Sequence, residues 1–74
     1  MKPGEFWKIG EGLWCQIGKV KDGKAHFDVI NGAWEGYYDI EKKRIYIKWT
    51  RRYVDIDTII GPLTREEVVK QCGY

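Results

Sequence analysis

The chain has 74 residues, a formal net charge of +2, 43% hydrophobic residues and 32% charged ones. Such a length makes one small domain, residues 1–74, burying only about 60% of the surface its unfolded form exposes, and excludes a second lobe or a cleft enclosed on all sides. Serine is absent, which removes a Ser nucleophile, a Ser helix cap and phosphoserine switching.

Met1-Lys2-Pro3-Gly4-Glu5-Phe6-Trp7-Lys8 holds no apolar run of signal-peptide type, and no window approaches the ~18 continuous apolar residues of a membrane span. A cytoplasmic protein without membrane contact is therefore expected. Phe6–Ile9 and Leu13–Val20 read as two strands joined at Gly10-Glu11-Gly12. Period-two spacing puts Leu13, Cys15 and Ile17 on one face and Trp14, Gln16 and Val20 on the other. Asp22-Gly23 marks a tight hairpin, because glycine accepts the positive φ such turns need. In the third strand Ala25, Phe27 and Val29 alternate inward, with His26 and Asp28 outward, and Asn31-Gly32 gives the next turn signal.

Ala33 to Ile40 forms a further strand bent at Gly36, followed by a turn at Glu41-Lys42-Lys43. Along 44–49, Ile45, Ile47 and Trp49 face one way and Arg44, Tyr46 and Lys48 the other; Val54 and Ile56 then point inward along 53–57. Gly61-Pro62 ends the extended part, since proline cannot donate to a strand ladder. Thr64-Arg65-Glu66-Glu67 is a capping box opening a short helix over about 64–72, with Gly73 as its C-terminal cap. The pattern predicts a mainly β (β-rich α+β) fold: a small curled antiparallel sheet or half-barrel of five to six strands with one short C-terminal helix docked on it. With four Trp and five Tyr, most of the core is expected from a few large rings.

No catalytic set emerges. His26 is the one histidine, and its face opposes that of Cys15, so a Cys–His dyad is not expected. Cys15, His26 and Cys72 lack the short spacings of a zinc site, and no metal or cofactor is expected. Two sparse cysteines read as reduced, buried thiols, with a disulfide between the first strands and the C-terminal segment left open. Asp55 and Asp57 share a strand face, which alternation explains without a cation.

Charge is segregated along the chain. Residues 42–52 carry Lys42, Lys43, Arg44, Lys48, Arg51 and Arg52 and no acid, a charge of +6, whereas 1–41 and 53–74 carry −2 each. On this basic hairpin Arg44, Tyr46 and Lys48 interleave cations with a ring, and Arg51, Arg52 and Tyr53 follow. Arg and Tyr are enriched at protein interface hot spots, and the same mixture of cations and rings suits single-stranded nucleic acid. The expected function is a non-enzymatic regulatory module docking on a larger protein partner through Arg44, Tyr46, Lys48, Arg51, Arg52 and Tyr53, with Lys42 and Lys43 steering. Binding of single-stranded nucleic acid on that surface is the alternative, and a Cys/His enzyme or metal site comes third.

Gly12–Val20, Asp22-Gly23-Lys24 and Phe27–Trp34 together resemble the hairpin rhythm of SH3-like and Tudor-like small barrels. The resemblance implies a binding module and makes Trp14, Trp34, Tyr37 and Tyr38 candidates for an aromatic ligand site; for Trp14 and Trp34 the preferred reading is that of core anchors, given how few large residues the chain has to spare. No acidic residue is placed to complete a methyl-lysine cage. A domain of this size, without a catalytic set, is also similar to small phage-encoded proteins that inhibit or redirect host machinery such as RNA polymerase, which implies action by docking and displacement, as in transcription regulation.

Overall fold

The computed structural model of the chain describes residues 1–32 and 34–73. Seven strands, β1 (Phe6–Ile9), β2 (Leu13–Lys21), β3 (Lys24–Val29), β4 (Glu35–Asp39), β5 (Arg44–Ile47), β6 (Arg52–Asp55) and β7 (Ile59–Leu63), precede one helix, α1 (Arg65–Cys72). They form one antiparallel sheet in the order β6-β5-β4-β3-β2-β1-β7. The sheet curls but does not close, leaving β6 and β7 as its edges. The expected class holds, with seven strands in place of five or six.

The extra strand is β7, which continues past Gly61-Pro62 and pairs with β1 on both sides of an irregularity at those two residues. A missing N–H is tolerated there because β7 has a neighbour on one side only. Glycine is required at 61: a Cβ would stand 2.5 Å from Cδ2 of Trp7. Ala33, expected to start the fourth strand, lies outside the described residues, and β4 begins at Glu35.

Three turns follow from their residues. Asp22 and Gly23 both have positive φ, 53° and 75°, as the Asp-Gly hairpin requires. Asn31 closes no two-residue turn. Its side chain instead donates to the Gly12 carbonyl at 2.9 Å and accepts the Trp14 N–H at 3.2 Å, tying the β3–β4 connection to the β1–β2 turn. The β4–β5 and β5–β6 turns are built alike: Lys43 N–H donates to the Asp39 carbonyl and Arg51 N–H to the Ile47 carbonyl, both at 2.8 Å. Lys43 and Arg51 have φ of 53° and 56°, a conformation glycine adopts at less cost.

The core is more aliphatic than the composition suggests. Ile9, Cys15, Ile17, Ala25, Phe27, Val29, Tyr38 and Ile45 form its buried cluster, with Trp7, Leu13, Trp34, Ile47, Ile56 and Ile59 packed against it. Trp34 meets the Phe27 ring edge-on at 6.0 Å. Two positions leave their expected faces. A register shift between Ile17 and Lys19 turns Val20 to the side of Ala25, its cross-strand neighbour, rather than to that of Trp14. Trp49 falls beyond the end of β5 and is 77% exposed instead of inward.

α1 behaves as its sequence dictates. The Thr64 hydroxyl accepts the Glu67 N–H at 3.1 Å, and the Glu67 carboxylate accepts the Thr64 N–H at 3.0 Å. Gly73 closes the helix in the left-handed region. Val68 is buried outside the main cluster, and Trp14 Nε1 donates to Gln71 Oε1 at 3.3 Å, which fastens the helix to the outer side of β2.

Candidate binding face

Alternation directs Ala25, Phe27, Tyr38 and Ile45 to the core and the residues between them outward. With α1 fastened at the β2 end, the outer face of β3 to β6 stays open. Register then aligns one residue per strand: His26 opposite Tyr37, Tyr37 opposite Tyr46, and Tyr46 opposite Tyr53. Their ring centroids lie 5.4, 5.1 and 5.0 Å apart, and Tyr37 is stacked on Tyr46. Neighbours at these distances attract as cross-strand aromatic pairs.

The row is closed across Tyr46 by the residues on either side of it. The hydroxyls of Tyr37 and Tyr53 are hydrogen-bonded at 3.2 Å, one donating to the other, above Tyr46. That bond, together with burial, pushes Tyr37 up to about 12. Cations occupy further ring surface: Lys24 Nζ lies 5.7 Å from the Tyr37 centroid, and the Arg44 guanidinium lies 4.2 Å from that of Tyr53. The Nε of Arg44 is buried with no hydrogen-bond partner among the described residues. The face thus offers ring edges, hydroxyls and cations to an incoming molecule, its ring faces partly covered by one another and by Lys24 and Arg44.

Beside the row a groove of about 450 Å³ runs between Lys19, His26, Asp28, Glu35, Tyr46 and Lys48, floored by Gly18 and Gly36. Gly36 is there because a Cβ would collide with the Tyr46 carbonyl oxygen. Lys48 Nζ and Glu35 Oε1 form an ion pair at 2.6 Å across β4 and the end of β5. That pair holds the Glu35 carboxyl below its usual range and the Lys48 ammonium above its own. Both side chains are well exposed, so the pair contributes little to stability. Trp34, Glu35, Lys48 and Trp49 line a second recess of about 580 Å³.

The expected contact residues divide into sub-sites. Arg44, Tyr46 and Tyr53 come together on the outer face. Lys42 and Lys43 stand at one end of β5, while Lys48 and Arg51 stand at the other. Arg52 pairs with Ile47 and shares the inner side with Val54, away from Tyr53. The four aromatic candidates do not converge: Tyr38 is in the core, Trp34 packs against it, Trp14 lies by the helix, and Tyr37 alone joins the row. His26, Lys24 and Trp49 were not singled out for contact by sequence reasoning. For His26 and Lys24 the signal was present, since both alternate outward with Asp28, but only register sets His26 beside Tyr37.

Cys15 is buried in the core and His26 is exposed on the opposite face. Burial pushes the Cys15 thiol up to about 12, so it is a poor nucleophile at neutral pH. Cys15 and Cys72 are both free thiols. No cluster of three or more His, Cys, Asp or Glu suited to a metal ion occurs among the described residues, and no helix there is long and apolar enough to cross a membrane. The chain matches no protein-family model, no curated protein and no solved structure.

Proposed function

We propose that the protein is a non-enzymatic binding module that docks on a larger protein through the outer face of β3 to β6. The observation that carries this reading is the tyrosine row itself. Its ring faces are engaged by one another and by Lys24 and Arg44, and its hydroxyls and edges point outward. A protein surface uses such groups as hydrogen-bond partners and packing edges, whereas an unpaired base needs an open ring face to stack on. The acids Asp28 and Glu35 in the groove also oppose a phosphate chain.

Two further features support docking. Trp49 is a large, exposed ring, of the residue type most enriched at hot spots. Lys43 and Arg51 hold cations at turn positions that glycine fills with less strain, an arrangement that a role in steering an acidic partner accounts for. A module of this kind acts by occupying its partner's surface, as an inhibitor or modulator does.

Affinity capture with the tagged chain tests the reading beside the variant Tyr37→Ala/Tyr46→Ala, its fold checked by circular dichroism. Loss of two hot-spot rings should weaken a captured partner by roughly 30-fold or more. Equal capture by both forms rejects the docking face. Titration with a labelled single-stranded oligonucleotide at two salt concentrations should give no appreciable binding; binding that falls steeply with salt would replace the protein reading by the nucleic-acid one.

A further inference from the structure

The two edges of the sheet are built differently. β7 carries Pro62, which lacks an N–H, and has Gly61 packed under Trp7. β6 contains no proline, and Arg52, Tyr53, Val54 and Asp55 are all exposed, Tyr53 at 50% and Val54 at 42%. Ile56 N–H donates to the Lys43 carbonyl at 3.0 Å, on the β5 side. Backbone groups alternate along a strand, so Arg52 and Val54 also turn theirs toward β5. The N–H and C=O of Tyr53 and Asp55 therefore face the open edge, spaced to exchange hydrogen bonds with another strand.

The segment entering and leaving this edge reads Arg51-Arg52-Tyr53-Val54-Asp55-Ile56-Asp57, basic at its start and acidic at its end. Antiparallel pairing with an identical segment sets each basic start against an acidic end. Keeping both core faces on one side allows Val54 opposite Val54, Tyr53 opposite Tyr53, or Asp55 opposite Asp55, the last of which sets two like carboxylates against each other. In the second register two Arg44 guanidiniums, each lying over its own Tyr53, meet and repel. In the first, Asp55 of the partner subunit stands beside Tyr53 on the outer face. Arg44, which stands opposite Asp55 of its own chain and lies over Tyr53, then has a second carboxylate on the far side of that ring.

We propose that β6 pairs with β6 of a second copy of this chain, antiparallel and two-fold symmetric about Val54, joining the two sheets into one. Tyr53 exchanges backbone hydrogen bonds with Asp55 of the partner subunit, and Arg51 faces the partner subunit's Asp57. The pairing goes beyond the docking role of the outer face, and it leaves the tyrosine row of each copy open.

Sedimentation velocity of the purified chain over a range of concentrations tests this. The chain should pass from monomer to dimer as concentration rises, and high salt should lower the dimer fraction. Asp55→Lys/Asp57→Lys makes the segment wholly basic, and Arg51→Asp/Arg52→Asp makes it wholly acidic. Each variant alone should self-associate roughly tenfold more weakly or worse, and an equimolar mixture of the two should restore the dimer. Amide exchange of the wild-type chain gives a readout independent of variant folding: protection at Tyr53 and Asp55 should rise with concentration while Val54 stays constant. A monomer at every concentration, a dimer that both variants keep, or concentration-independent exchange at Tyr53 and Asp55 overturns the proposal.

Discussion

Tyr37 shows how much a single side chain owes to its neighbours. Its hydroxyl is bonded to that of Tyr53, its ring stacks on Tyr46, and Lys24 lies against it. Because its phenol is pushed from 10.0 up to about 12, its contribution to stability is whole below pH 10 and is lost as the pH rises toward 12. In that window the unfolded chain gives up the proton more readily than the folded one. Tyr53→Phe removes the hydroxyl partner, so Tyr37 should titrate closer to its ordinary value, read by tyrosinate absorbance against pH. An unchanged titration would mean that burial and the neighbouring Asp39 and Tyr46 set the shift without the hydroxyl bond. The residue types of this face were legible in the sequence: Arg44, Tyr46 and Tyr53 alternate visibly. The bond between Tyr37 and Tyr53 was not, because it joins strands separated by β5.

At the scale of elements, the turns of the basic hairpin are where sequence preference and structure disagree. Lys43 and Arg51 close their turns in the left-handed region, which costs a residue with a Cβ about 1 kcal/mol relative to glycine. Arg51→Gly should therefore raise stability by up to about 1 kcal/mol in chemical denaturation while weakening partner capture. A loss of stability would show that the Arg51 side chain supports the fold instead. Local signals served best where an element depends only on its own residues. The capping box and Gly73 gave α1 its limits, and Asp22-Gly23 gave the first long hairpin its turn. They failed for β7, where Pro62 is tolerated only because its strand lies at an edge, and for Val20, where the irregularity at Gly18 reverses the alternation. They failed also at Trp49, since alternation says where a side chain points only while the strand lasts.

For the molecule as a whole, a thin core makes every large buried group count. Phe27 sits at the centre of the cluster, against Trp34 and above Gly36. Phe27→Ala should cost about 3–5 kcal/mol, most of the stability available to a domain this small. Thermal denaturation should then show the variant largely unfolded at ambient temperature; a cooperative transition close to that of the wild type would contradict the placement of the core. The sequence by itself determined the class of fold, the inward sets of β3 and of the start of β5, the helix with both caps, and the confinement of positive charge to one hairpin. Each of these is a matter of local periodicity or local chemistry. Only the tertiary structure decided that His26, Tyr37, Tyr46 and Tyr53 form one row, that α1 leaves that row open, and that β6 is an exposed edge. The physical reason is that register and strand order depend on contacts between residues far apart in the chain, whose consequences no short window contains.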